Sequence, residues 1–373
     1  MRLSLACLIP LVGLGCVDTG KPADLGAPWT GDSDFVAASD DLPAHFVGLS
    51  EVDNTPPDNR LTDAGATLGR ALFYDPRLSA NGTVSCASCH QQAAAFADPE
   101  VLSVGFDGGL TARHGMPLVN VRWYAPGTMF WDERAETLEE QVLLPIQDEV
   151  EMGISVPMLV WTVSAIPAYE DLFIEAFGDA TVTEDRIAAA LAQFVRALVS
   201  ADAPYDTGLA ATEGRARRDF PAFTDDENAG KALFFDDAGC ASCHTSVGSA
   251  GQAALFYMDR PLNNGLDAAT LDPGVAAVSG RQRDEGVFKS PSLRNIAVTG
   301  PYMHDGRFDT LAEVVDHYRS GVASHPNLAA RLTPNGAEGL SDREAEQLVA
   351  FLETLTDEGF LTDPRFADPW DLD

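Results

Sequence analysis

Cys86-Ala87-Ser88-Cys89-His90 recurs residue for residue at Cys240-Ala241-Ser242-Cys243-His244. Two thiols three apart, followed at once by an imidazole, form the c-type haem attachment pattern. Cys86, Cys89, Cys240 and Cys243 would add to haem vinyl groups, while His90 and His244 each give a nitrogen to iron. A zinc site would want third and fourth thiol or imidazole ligands nearby, and a redox dithiol has no use for the trailing histidine. The two copies therefore predict two covalently bound haems c.

The duplication extends on both sides of the motif. Gly69-Arg70-Ala71-Leu72-Phe73-Tyr74-Asp75 precedes the first copy and Gly230-Lys231-Ala232-Leu233-Phe234-Phe235-Asp236 the second. Beyond the motifs, Leu118-Val119-Asn120-Val121 matches Leu293-Arg294-Asn295-Ile296. Asp132-Glu133-Arg134 with Thr137-Leu138-Glu139-Glu140 then matches Asp305-Gly306-Arg307 with Thr310-Leu311-Ala312-Glu313. Such self-similarity marks an internal repeat. Both Thr-x-x-Glu copies read as capping boxes that start helices at Thr137 and Thr310. The second helix would put Leu311, Val314, Val315 and Tyr318 on one inward face. Further helices are predicted over 167–177, 184–199 and from Ser341 onward. The fold class expected is mostly α, two cytochrome c-like haem domains related by duplication.

The chain has 373 residues, room for about two domains. Arg2 and the apolar run from Leu3 to Leu14 are too short to span a bilayer and read as a secretory signal, with Cys16 placed as in a lipoprotein cleavage site. Residues 1–16 are thus assigned to the signal and 17–48, rich in Asp, Gly, Pro and Ala, to a flexible tether. The haem domains are expected at 49–212 and 213–373, joined through 202–221. Once Cys7 leaves with the signal and Cys16 carries lipid, the four remaining cysteines belong to haem. Export to the periplasm agrees with that chemistry.

The net charge of −33 makes nucleic acid and anionic membrane surfaces poor partners, so contact with the membrane is expected only through the lipid on Cys16. A small basic cytochrome c or cupredoxin would be steered toward this field. The acidity equally serves solubility in a salty habitat.

Phe130-Trp131-Asp132-Glu133-Arg134, Leu138-Glu139-Glu140-Gln141, Pro145-Ile146 and Val150-Glu151-Met152-Gly153 resemble the bacterial di-haem cytochrome c peroxidases and their relatives. Pro291-Ser292-Leu293-Arg294-Asn295 and the run from Gly300 to Arg307 extend the resemblance through the second half. Among those relatives is the enzyme that matures the tryptophylquinone cofactor of methylamine dehydrogenase. The resemblance implies that the first domain is peroxidatic and the second transfers electrons. The His90 haem becomes the peroxide site, Glu151 its acid and base, Gln141 a neutral donor that orients peroxide, and Trp131 an electron relay between the haems. A carboxylate is chemically suited to the role, because cleaving the O–O bond requires a proton to leave one oxygen and reach the other.

Three positions depart from the peroxidases. Where a histidine closes the resting peroxide haem in that family, this chain has Phe106, which cannot ligate iron. Where the peroxidases place a methionine on the electron-receiving haem, it has Tyr318, as in the quinone-maturing enzyme; Met258 and Met303 are the rival ligands. The family's interdomain calcium ion would fall at His114, Thr299 and Pro301, yet imidazole is a poor ligand for a hard cation. His114 is alternatively available to the His90 iron or to a haem propionate. His304, in the register of Trp131, reads as a structural or propionate contact, and His45, His317 and His325 read as surface or loop residues.

These observations predict a di-haem enzyme that reduces hydrogen peroxide to water with electrons from a small redox protein. The enzyme rival is a peroxide-dependent oxidase that modifies Trp or Tyr of a partner protein through a high-valent di-haem state. A plain electron carrier is the third reading.

Overall fold

The computed structural model describes residues 25–31, 33–46, 49–245, 255–258, 260–336 and 339–370; the expected signal segment and Cys16 lie outside them. Among the described residues the chain is helical, with isolated bridges and no strand. Helices start where side chains satisfy free amides. Thr62 accepts the Gly65 amide at 3.0 Å and opens Asp63–Tyr74. Thr183, Thr224 and Ser341 do the same for Glu184–Ala197, Asp225–Ala232 and Asp342–Glu353.

Two hydrophobic cores follow the two sequence repeats. The first includes Leu72, Phe73, Phe96, Leu191 and Phe194, and the second Phe234, Phe256, Leu348 and Phe351. Each is built on a crossed helix pair, and the glycine of the repeated phrase sets how closely the pair meets. A Cβ on Gly69 would stand 2.0 Å from the Ala190 carbonyl oxygen, and one on Gly230 would stand 1.8 Å from that of Gln347. Backbone meets backbone there, and no other residue type fits.

The repeat persists in the loops. Asn120 and Asn295 adopt left-handed conformations, with φ of 58° and 59°. The Asn120 amide donates to Leu198 and the Asn295 amide to Leu355, each at 2.9 Å. The Asn120 side chain pairs with the backbone of Ser200, while Asn295 Nδ2 reaches the Ser200 hydroxyl at 3.0 Å. Asp357 accepts from that hydroxyl and from the amides of Ala201 and Asp202, so one buried network ties the halves together.

Several segments are more firmly packed than their composition suggests. Phe35 and Phe46, within the segment read as a tether, are each only 2% exposed. Phe35 sits on a short helix, Phe35–Asp40, against Phe194 and Phe366. The link between the halves contains the helix Pro204–Ala211 with Tyr205 and Asp206 buried. Asp206 meets Arg294 Nη2 at 2.6 Å and His45 Nε2 at 2.6 Å. His45 is therefore half-buried and paired, and His317 and His325 are buried. The arm Glu358–Trp370 folds back on the first half: Phe360 and Phe366 join the first core, and Trp370 Nε1 donates to Ala71 at 2.9 Å.

Candidate active site

Phe73, Cys86, Cys89, His90, Gln141 and Glu151 line one cleft. The His90 ring is held by Nδ1, which donates to the Phe96 carbonyl at 2.9 Å. That leaves the Nε2 lone pair for a metal, the arrangement that orients a ligating imidazole. Burial lowers the His90 pKa, which favours the neutral ligand form. The thiols are unlike those of a redox dithiol. Burial pushes Cys86 up to about 12 and Cys89 up to about 11, whereas an attacking thiol needs a lowered pKa. Zinc has no better case, since no group of three or more His, Cys, Asp or Glu is placed to hold a metal ion among the described residues. The cleft, the paired cysteines and the oriented histidine fit haem c.

Glu151 enters this cleft from a loop that two glycines shape. A Cβ on Gly105 would lie 1.6 Å from the Val150 carbonyl oxygen, and one on Gly153 2.4 Å from the Phe106 ring. The loop before Phe106 thus lies flat on residues 150–151, and the Phe106 amide donates to the Glu151 carbonyl at 2.9 Å. Phe106 packs its ring on Gly153. Burial pushes the Glu151 carboxyl up to about 7, helped by the nearby Asp148 carboxylate and opposed by Arg134. Gln141 ends the four-residue helix Leu138–Gln141, where Thr137 accepts the Glu140 amide at 3.1 Å. The capping is one-sided, because Glu140 turns its carboxylate to the Glu136 amide.

Trp131 stands between the halves. Its indole Nε1 donates to the His114 carbonyl at 2.8 Å, its own carbonyl accepts from the Lys289 amide at 2.8 Å, and its ring meets His304 edge to face at 6.4 Å. His304 in turn stacks on Phe288 with centroids 3.8 Å apart. Trp131 and its repeat mate therefore face each other across the junction. His114 Nδ1 donates to the Glu100 and Val101 carbonyls at 3.1 and 3.3 Å, and its buried Nε2 has no partner among the described residues. Calcium wants oxygen donors, and His114 supplies none. Thr299 is buried with its hydroxyl toward the Ile296 carbonyl at 3.4 Å. The carbonyls of Thr299 and Pro301 would be the other donors, but the imidazole of His114 stands where a side-chain oxygen is wanted, and no step below uses calcium.

In the second half His244 is half-buried, with its buried Nδ1 unpartnered among the described residues, and desolvation lowers its pKa to about 4. Tyr318 lies in the field of Cys240 and Cys243; burial raises its phenol pKa and a hydrogen bond with Asn264 opposes the rise. It rides on a π-helical turn, His317–Gly321, that continues the helix Leu311–Asp316, so the inward face ends in a wider turn than the α-period implies. Asn264 also donates to Met303 Sδ at 3.4 Å, which puts one rival ligand in the same neighbourhood. Met258 is buried. Sequence reasoning passed over Lys289 beside Trp131, a lone cation with no motif around it.

Residues 63–214 match the di-haem cytochrome c peroxidase family and residues 228–356 the cytochrome c family. The methylamine utilization protein MauG of Methylorubrum extorquens is 39% identical over 80% of this chain and 80% of its own. Cytochrome c551 peroxidase of Pseudomonas aeruginosa is 32% identical over 86% of each. Among solved structures, a MauG-like protein associated with microbial copper homeostasis superposes with a TM-score of 0.73 at 35% identity, covering 88% of this chain and 99% of that one. The diheme peroxidase BthA of Burkholderia thailandensis gives 0.68 at 25% identity, covering 84% and 90%. The chain belongs to the di-haem cytochrome c peroxidase and MauG family of oxidoreductases, whose members carry two haems c.

Proposed function

We propose that the chain is a periplasmic hydrogen peroxide reductase, with peroxide bound at the haem held by Cys86, Cys89 and His90. Cys240, Cys243, His244 and Tyr318 would hold the second haem, which would supply the entry point for electrons. The division into 49–212 and 213–373 goes with this reading, the arm after residue 357 being lent to the first core. Bound haem supplies an iron site for peroxide and a store for oxidising equivalents. The observation that carries the proposal is the presence of Glu151 and Gln141 on the same cleft as His90. Glu151, poised near neutrality, takes the proton from one peroxide oxygen and delivers it to the other, which leaves as water. Gln141 donates a hydrogen bond that orients peroxide. Two electrons and two further protons complete the reduction to two waters, and Trp131 passes electrons between the halves. The net charge of −33 favours a small basic cytochrome c or cupredoxin as donor. Export through residues 1–16, with lipid on Cys16, belongs to the same proposal. No helix among the described residues is long and apolar enough to cross a membrane.

The test is peroxide-dependent oxidation of a reduced basic cytochrome c by the di-haem protein and by Glu151→Gln. The substitution is expected to lower turnover about 10²–10⁴-fold with haem absorbance intact. Equal turnover in the variant would remove Glu151 from the reaction, and no peroxide-dependent oxidation by wild type would end the peroxidase reading and leave an electron carrier.

A second reading, peroxide-dependent oxidation of Trp or Tyr on a partner protein, is favoured by Tyr318 beside the second thiol pair and by Phe106 packed on Gly153. It is separated from the first by haem bands that respond to peroxide while reduced cytochrome stays reduced.

A further inference from the structure

Glu133 has φ of 57°, a left-handed conformation that is strained for a residue with a side chain. Its mate in the second repeat is Gly306, at φ of 65°, for which the conformation is free of that strain. The first half therefore keeps a carboxylate where the backbone asks for glycine. The Glu133 carboxylate accepts the phenolic O–H of Tyr124. Over the Tyr124 ring, 3.8 Å from its centroid, sits the ammonium of Lys289, which is 4% exposed and donates to the Thr128 carbonyl at 2.9 Å. The backbone amide of the same Lys289 donates to the carbonyl of Trp131. Tyr124 and the proposed relay Trp131 thus flank one residue. The second half has no such group, since the position matching Tyr124 is Thr299.

We propose that Tyr124 is a redox-active tyrosine that holds one oxidising equivalent next to Trp131, with Glu133 as its built-in proton acceptor. The inference rests on the peroxide chemistry proposed above, which supplies the oxidant. When Trp131 has lost one electron, Tyr124 returns it. The phenolic O–H bond breaks, the electron goes to Trp131, and the proton moves along the existing hydrogen bond to the Glu133 carboxylate. Tyr124 ends as a neutral tyrosyl radical, Glu133 as a carboxylic acid and Trp131 as the closed-shell indole. Lys289 enforces the coupling, because an ammonium above the ring disfavours any ring that keeps its proton and gains charge. Burial lowers the Lys289 pKa to about 7, opposed by Glu133, so the cation depends on that carboxylate. Tyr257 is the natural contrast. Its ring lies 5.7 Å from that of Tyr124, but its hydroxyl meets the Val119 carbonyl at 3.4 Å and the Ser292 backbone, neither of which can take a proton.

The di-haem protein would be mixed with hydrogen peroxide without donor, frozen within milliseconds to seconds, and read by EPR, with ring-deuterated tyrosine incorporated to identify the carrier. Haem absorbance is followed in parallel. Wild type should give a radical signal that narrows on tyrosine deuteration. In Tyr124→Phe that signal should vanish, and in Glu133→Gln, which keeps the hydrogen bond but is a far weaker base, its yield should fall about tenfold or more. An unchanged signal in Tyr124→Phe would overturn the proposal, as would haem bands that respond to peroxide in wild type with no tyrosine-derived signal. Undiminished yield in Glu133→Gln would remove the proton-acceptor role on which the proposal depends. Haem bands indifferent to peroxide would sink the peroxidase reading itself and this inference with it.

Discussion

Counted from the capping threonines, Pro145 and Tyr318 hold the same register, each eight residues on: 137 to 145 in the first half and 310 to 318 in the second. The same count sets Gln141 against Val314, Trp131 against His304 and Glu133 against Gly306. Around these positions the two backbones agree, down to φ of 70° at Phe130 and 75° at Met303 and paired bridges at Met129 with Ala135 and Tyr302 with Phe308. What differs is the chemistry hung on a shared frame. In the first half proline starts a new short turn, Leu144–Gln147, and the cleft is faced by Gln141 and Glu151. In the second the helix runs on into the π-turn that carries a phenol toward the thiol pair. The duplication kept what holds a haem and diverged where a sixth ligand or a proton carrier would stand, so the roles of the halves are readable from a handful of mismatched pairs.

The sharpest way to break the comparison is to move a ligand across it. Pro145→Tyr gives the first half the residue of the second. If its phenol holds the site closed about 99% of the time, apparent peroxide turnover falls about 100-fold. Low-temperature EPR of the oxidised protein checks the cause: one high-spin and one low-spin haem in wild type should become two low-spin haems in the variant. Two low-spin haems in wild type would mean that another side chain already closes the first site.

A smaller effect tests the shared frame instead of the divergence. Gly69→Ala and Gly230→Ala each force a methyl group into a backbone oxygen across a helix pair. Overpacking of this kind costs about 1–3 kcal/mol. Thermal midpoints should fall by roughly 2–4 °C per kcal/mol in domains of this size, and by similar amounts for the two variants. A drop confined to one glycine would show that the halves do not rest on equivalent crossings.

Much of this frame was legible because it is local or repeated. The attachment motifs, the glycine of each pre-haem phrase and the capping threonines announce themselves within a few residues. Glu151 and Gln141 were legible only through family register, since nothing near them in sequence marks a carboxylate that burial raises. Other features depend on partners far away along the chain. Phe35 and Phe46 are single aromatics in a polar stretch, and only contacts with Phe194, Phe366 and Trp123 make that stretch structural. His45 looks solvated until Asp206, 161 residues away, is brought to it. Lys289 has no periodicity or motif. Its one sequence-level trace is indirect, in the Glu133 that replaces the repeat's glycine.

The finest probe of the difference between the halves is pH. In the proposed reaction Glu151 must be ionised to accept the first proton, and in the fold its carboxyl is held up to about 7, chiefly by burial. Peroxide turnover should therefore be flat above that value and fall about tenfold per pH unit below it. The linkage to stability runs the other way. A carboxyl whose pKa is raised on folding binds its proton more tightly in the native state, so this group's contribution grows as pH falls from above 7 toward its unfolded value near 4.5 and is lost again as pH rises. Activity and this part of the stability should thus move in opposite directions across one window, a signature that a purely structural carboxylate would not give. Glu151→Gln should flatten both profiles there. A low-pH fall in turnover that survives in Glu151→Gln would assign the titration to another group and remove the proton carrier that distinguishes the first half from the second.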